Sequence, residues 1–364
     1  MTPSPPLLAE PAGPAPSDVL ALLRQAAHRL RSRPFVPHPL IKQGDIQTIG
    51  ALLWPARVRG RDQSGDEMRL FEVDHDTQVL ARCRWQARPA DHTTLVMWHG
   101  MEGSTSSAYM LSIADKAFGV GFNVVRVNIR NCGGTEHLTP TLYHAGLTSD
   151  LRAVIGELIE RDRLPRLLVA GFSLGGSLVL KLAGEYGANP PPQLRAVCAV
   201  SPSVDLRASV DLISQRRNWI YHQDFLYHLK HRIKVKQALF PKLYNSEGLN
   251  RIRVIEQFDD RFVAPGFGFA GANDYYTRAS ALPHLGRIRI PTLIIHAEDD
   301  PFIPFAPLRN PSIADHPYVL LLSTERGGHV AFISAFVDHE DRFWAENRVV
   351  EFCELVGSYL TDVN

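Results

Sequence analysis

Leu167-Leu168-Val169-Ala170-Gly171-Phe172-Ser173-Leu174-Gly175-Gly176 joins an apolar run to a glycine-flanked serine. The four leading apolar residues do not alternate with polar ones, which predicts a strand covered on both faces, as in a parallel sheet. Ser177-Leu178-Val179-Leu180-Lys181-Leu182-Ala183 then shifts to helical spacing, so Ser173 falls at the turn between a strand's C-terminal end and a helix. Gly171-Phe172-Ser173-Leu174-Gly175 fits G-x-S-x-G, where the serine takes a strained backbone conformation and the glycines let strand and helix approach. Such a turn exposes the hydroxyl. It also leaves the Leu174 N–H at a helix N-terminus, free to stabilise charge developing on a carbonyl oxygen.

Upstream, Thr94-Leu95-Val96-Met97-Trp98 is the first fully apolar strand, and it ends in His99-Gly100-Met101-Glu102-Gly103-Ser104. The loop after such a strand supplies a second N–H for an oxyanion, placed here on Met101. His99 reads either as a side chain that holds this loop or as a pocket residue. Asn123 to Ile129 forms another strand, and Leu151, Val154, Ile155 and Leu158 mark a crossover helix within Gly146 to Asp162. Strands alternating with helices predict the α/β class with a mostly parallel, doubly covered sheet. Before it, Arg69 to Val73 and Val79 to Trp85 alternate as an antiparallel hairpin, while proline-rich Phe35 to Pro55 reads as extended. The first sixteen residues hold six prolines and read as a disordered tail. Val19, Leu22, Leu23, Ala26 and Leu30 then share one face of a helix that can pack on the body or lie on a membrane surface. Residues 1–34 are therefore taken as tail and amphipathic helix, and 35–364 as one domain.

Downstream, Ala196 to Val200 and Thr292 to Ile295 are buried strands whose separation far exceeds the usual connection, so a helical cap is expected at about 202–290. Its first half interleaves Arg216, Arg217, Lys230, Arg232, Lys234, Lys236 and Lys242 with Trp219, Tyr221, Phe225, Tyr227 and Phe240. That composition suits an acyl substrate with an anionic or interfacial head, and equally a solvated helix face. Gly266 to Gly271 fits G-x-G-x-x-G but follows no strand, which argues against a nucleotide site. Tyr275 and Tyr276 are candidates to line a pocket or to pack the cap. The strand through Ile295 ends in His296-Ala297-Glu298-Asp299-Asp300-Pro301, where Asp300 is placed to orient an imidazole; Asp205 is a weaker rival. A last apolar strand, Tyr318 to Leu322, precedes Gly327-Gly328-His329, so the order is Ser173, Asp300, His329.

With 364 residues, 45% hydrophobic, the chain can bury a large core, and a net charge of +1 gives no footprint for nucleic acid. Four dispersed cysteines without ligand spacing read as reduced, buried thiols of a cytoplasmic protein. No apolar stretch suits a membrane span, and no metal or organic cofactor is required by the chemistry of these residues.

His99 to Ser104, Gly171 to Gly176, Phe258-Asp259 with Asp274-Tyr275-Tyr276, and Asp299-Asp300-Pro301-Phe302 resemble the motifs of the α/β-hydrolase superfamily, in its YheT-like branch. The resemblance covers about Phe35 to the C-terminal helix. It implies an α/β-hydrolase fold, a catalytic triad at Ser173, Asp300 and His329, and activity as an esterase, lipase or alcohol acyltransferase on medium-length acyl chains. The residues themselves predict a serine carboxylic ester hydrolase with Met101 and Leu174 as the oxyanion hole, and the resemblance implies short- to medium-chain acyl esters as its substrates. Acyl transfer to an alcohol and thioester hydrolysis use the same triad. A non-catalytic binding protein that keeps the fold is the rival from another class; the expected partner is the small-molecule ester, with peripheral membrane or lipid-interface contact kept as an alternative to packing of the first helix on the body.

Overall fold

The computed structural model describes residues 16–54 and 65–359, so the proline-rich tail lies outside the described residues. The apolar runs form β1 (Glu67–Asp74), β2 (Thr77–Arg84), β3 (Thr94–Trp98), β4 (Asn123–Val127), β5 (Leu167–Phe172), β6 (Leu194–Val200), β7 (Thr292–Ala297) and β8 (Val319–Thr324). They make one eight-stranded sheet in the order β1-β2-β4-β3-β5-β6-β7-β8. β2 runs antiparallel to β1 and β4, and every pairing from β4 to β8 is parallel. Trp98 pairs with Gly171 and Phe172 with Val200, so the loops after β3, β5 and β6 leave the sheet level with one another. Ligands bind at that edge of an open parallel sheet.

The lack of alternation has a simple cause: both faces of each strand are covered. Val96, Trp98, Val125, Val169 and Ile294 enter one core with α4 (Thr148–Glu160) and α5 (Leu174–Tyr186). Their neighbours Leu95, Met97, Val124, Leu168 and Leu293 enter a second core with α3 (Ala108–Gly119) and the C-terminal helix Trp344–Tyr359. Each such side chain contributes roughly 1.5–3 kcal/mol of burial. The helix expected near Ser17 is α1 (Pro16–Arg31), and its apolar face is buried in that second core against the C-terminal helix. That face is consequently not available to a membrane surface. All four cysteines are free and buried, and burial pushes the thiols of Cys83 and Cys132 up to about 12. No helix among the described residues is long and apolar enough to cross a membrane.

One expectation fails. The segment read as extended contains α2 (Gly44–Leu53), because the prolines stop at Pro39 and resume at Pro55. Gln47, Thr48 and Ala51 are buried on one side of this short helix, so tertiary contact rather than propensity stabilises it. Gln47 donates to the carbonyl of Ile333 at 3.0 Å and accepts the Ile333 N–H at 2.7 Å.

Between β6 and β7 the chain forms α6 (Leu206–Ile213), α7 (Trp219–Leu239), a turn Ile255–Phe258 that passes into a π-helical turn Asp259–Val263, and helix Ala272–Ala279. Lys236 of α7 is fully buried and donates to the carbonyl of Glu136 at 3.1 Å and to that of Thr139. This residue neither faces solvent nor awaits a substrate head group. Burial pushes its ammonium down to about 8.

Candidate active site

Ser173 immediately precedes α5, with φ 53° and ψ −116°, a region that L residues enter only when neighbours enforce it. Its N–H donates to the carbonyl of Val200 at 2.8 Å, and its side chain does not cap the helix. A Cβ on Gly175 would stand 2.5 Å from the carbonyl oxygens of Trp98 and His99, and one on Gly171 would collide with the Gly175 carbonyl. Both glycines are therefore needed for α5 to lie close against β3 and β5.

Asp300 is buried just past β7, where its Oδ1 accepts the N–H groups of Phe302 at 2.8 Å and Ile303 at 3.0 Å. Its Oδ2 accepts from Nδ1 of His329 at 2.7 Å. Burial pushes this carboxyl up, but the charge of His329 and the hydrogen bond to it outweigh that, and the net direction is below the ordinary range. With Nδ1 committed, Nε2 is the nitrogen left for chemistry. The His329 N–H donates to Oγ1 of Thr48 at 2.9 Å, and Thr48 donates to the carbonyl of Gly44 at 2.7 Å. Gly328, at φ 63°, lies where a Cβ would strike that same carbonyl. Val330 at φ 55° and Phe332 at φ 46° add strain beside the histidine, and the Val330 N–H donates to Ser201 Oγ at 3.2 Å.

Asp205 is excluded from this role, because it caps α6 by accepting the Ala208 N–H at 3.1 Å. Asp299 accepts the Gly328 N–H at 3.0 Å, and Glu298 pairs with Arg309 at 3.1 Å. These acids shape the turn.

Ser173 and His329 open onto one cavity of about 650 Å³ without a hydrogen bond to each other. Met101 and Leu174 line it as well, and among the described residues their N–H groups donate to no acceptor. The loop carrying Met101 is held by its neighbour. Glu102, at φ 58°, accepts from the Tyr143 hydroxyl at 2.8 Å and pairs with Arg232 of α7 at 2.6 Å; Arg232 also donates to the Asn131 carbonyl. Nothing local in the sequence signals this pairing, which joins residues 130 positions apart.

His99 does not line the cavity, which corrects its reading as a pocket residue. It is fully buried, donates from Nδ1 to the Gly100 carbonyl at 2.7 Å and accepts the Ile129 N–H at Nε2 at 3.0 Å. Burial pushes it down to about 4, so it is a neutral brace for the loop. Tyr275 and Tyr276 do line the cavity. The Tyr275 hydroxyl accepts the Ala145 N–H at 3.0 Å, and the Tyr276 hydroxyl donates to Asp259 at 2.7 Å. The cap covers the site with apolar side chains that include Leu206, Ile213, Phe225, Leu229 and Phe258.

The alpha/beta hydrolase fold family matches residues 93–336. The chain is 33% identical to YheT of Escherichia coli (strain K12) over 78% of its own length and 83% of that protein's. It is 29% identical to the human phospholipase ABHD3 over 74% of its length, spanning 64% of that enzyme. Among solved structures, the Pyrococcus furiosus esterase Pf2001 superposes with a TM-score of 0.53 at 15% identity, over 82% of this chain and 95% of that one, a likeness of fold alone. The strand order, the serine turn after β5 and the family match over most of the chain together place this protein in the alpha/beta hydrolase fold family.

Proposed function

We propose that the chain is a serine carboxylic ester hydrolase acting on short- to medium-chain acyl esters through an acyl-enzyme. One observation carries the reading: a histidine tied by Nδ1 to a buried carboxylate opens onto the same apolar cavity as a serine on a strained strand-to-helix turn. His329 Nε2 takes the proton of the Ser173 hydroxyl as its oxygen bonds to the ester carbonyl carbon. The resulting oxyanion accepts the N–H groups of Met101 and Leu174, each worth roughly 2.7–4 kcal/mol at such a site. Collapse breaks the ester C–O bond, and the leaving alcohol takes the proton from His329. Water, deprotonated by His329, then attacks the acyl group, and Ser173 leaves with that proton. The hydrogen bond between serine and histidine need only form with substrate bound, as such contacts commonly tighten in the complex. An alcohol in place of water completes acyl transfer by the same steps. The cavity volume falls in the range that encloses a small organic ligand.

Labelling by a fluorophosphonate tests the reading. Label is expected on the parent and lost in Ser173→Ala and His329→Ala, with hydrolysis across an ester chain-length series; product analysis with added ethanol separates hydrolysis from transfer. Folded protein that takes no label and turns over no ester would favour the binding-protein reading instead.

A further inference from the structure

Among the described residues, three acids that the proposed chemistry does not use line the cavity: Glu102 is paired with Arg232 at 2.6 Å, Asp224 lies 3.6 Å from His228, and Asp259 stands apart from both. Asp259 is 8% exposed and lines the cavity beside Phe258, Val263 and Tyr275. Its Oδ2 accepts from the Tyr276 hydroxyl at 2.7 Å, and Oδ1 accepts no hydrogen bond from any described residue. Oδ1 is therefore an acceptor reachable from the cavity, on a residue that is otherwise buried, and it offers a place for a ligand's donor. Asp259 also opens the π-helical turn Asp259–Val263, a geometry frequent at functional sites.

We propose that Asp259 and Tyr276 form a polar subsite in the cap that takes a hydroxyl group of the substrate, held away from the ester carbonyl at Ser173. This rests on the hydrolase reading above. Ser173 stands on the sheet edge and Asp259 in the cap, both on one cavity, so a substrate reacting at the first presents its remainder to the second. A hydroxyl suits the site better than a cation. Among the described residues no cation pairs with Asp259: Arg207, which lies over the Tyr276 ring at 5.4 Å, is held by Glu256 at 2.8 Å and by Asp211. Burial, against the Tyr276 hydrogen bond, pushes Asp259 up to about 7. A hydroxyl can donate to the carboxylate and accept from the carboxylic acid, whereas an ammonium needs full ionisation.

Two ester pairs and one binding measurement test this. On the alcohol side the pair is monooctanoylglycerol and ethyl octanoate; on the acyl side it is the 4-nitrophenyl esters of 8-hydroxyoctanoate and octanoate. The hydroxylated member of one pair is expected to have a kcat/KM about tenfold higher, the value of one hydrogen bond. Asp259→Leu and Tyr276→Phe should collapse that ratio, and Asp259→Asn, which keeps an acceptor, should retain part of it. Calorimetry on Ser173→Ala, where no turnover occurs, should show 1,8-octanediol binding more tightly than 1-octanol, with the difference lost when Asp259→Leu is added. Equal kcat/KM within both pairs, a ratio that survives Asp259→Leu, or tighter binding of octyltrimethylammonium than of the diol would overturn the proposal. Asp259-dependent diol binding without turnover of any ester would support the subsite while removing the hydrolase reading.

Discussion

Nδ1 of His329 donates to Oδ2 of Asp300 at 2.7 Å, while Oδ1 of the same carboxylate is saturated by two main-chain N–H groups. The carboxylate is thereby held in one rotamer and the imidazole is oriented with its Nδ1–H on Asp300, which leaves Nε2 for the reaction. In Asp300→Asn the amide can offer its NH₂ to Nδ1, which moves the proton to Nε2 and blocks its use as a base. Turnover of an ester should fall about 10⁴-fold with KM moved little. Steady-state kinetics on protein with a parent-like unfolding curve would check it.

Thr48 is a positioning residue, since its Oγ1 accepts the His329 N–H at 2.9 Å from a helix that the catalytic motifs do not include. Thr48→Val keeps the shape and leaves that N–H without its acceptor, at a cost of roughly 1–3 kcal/mol. We expect kcat to drop about tenfold or more, KM to stay near the parent value, and Thr48→Ser to restore most of the rate. A Thr48→Val enzyme with unchanged kcat would show that the loop holds the histidine without it.

Gly175→Ala inserts a methyl 2.5 Å from two carbonyl oxygens of the neighbouring strand end, which backbone shifts must relieve. Overpacking of this kind costs roughly 1–3 kcal/mol, and here the shift also displaces the serine turn. Urea unfolding should show the loss of stability, and fluorophosphonate labelling should slow in parallel.

The serine turn and the order Ser173, Asp300, His329 were legible because their signals are local. An unalternating apolar run marks a strand buried on both faces, and small residues mark the turn that follows. Helix α2 was not legible, since Gln47 and Thr48 are buried only by meeting residues 328–333 across the fold. Lys236 of α7 fits neither reading of the basic stretch, for a related reason. Composition cannot tell a solvated lysine from Lys236, whose ammonium satisfies two carbonyls in the body. Asp259 entered only as part of a resembling motif, because a lone acid in a helical stretch looks solvated until Tyr276 is seen beside it.

Arg232 and Glu102 form a largely buried pair that ties α7 to the loop bearing Met101. Removing one member strands the other charge, a loss of roughly 3–5 kcal/mol, whereas replacing both with apolar residues is often close to neutral. Arg232→Met should therefore destabilise more than the double variant Glu102→Leu/Arg232→Met. A double-mutant cycle in urea would give the coupling, and additive single losses would show that the pair does not act as a unit.

Acid should destabilise the fold through His99. Burial lowers its folded value to about 4 from an ordinary 6.5, so between those limits the unfolded chain binds a proton that the folded chain refuses. Stability is then complete above the upper limit and falls as pH drops through the window, by about 3 kcal/mol at its lower end. Asp300, held below the ordinary carboxyl range, loses its own contribution only at lower pH, with the same sign. His99→Asn retains a donor toward the Gly100 carbonyl and removes the titrating group. The variant should begin less stable at pH 7.5, through loss of the acceptor for the Ile129 N–H, yet lose less between pH 7 and 5 than the parent. Urea midpoints at three pH values would show the shallower slope, and parallel slopes for the two proteins would mean that other groups, His144 among them, carry the acid response.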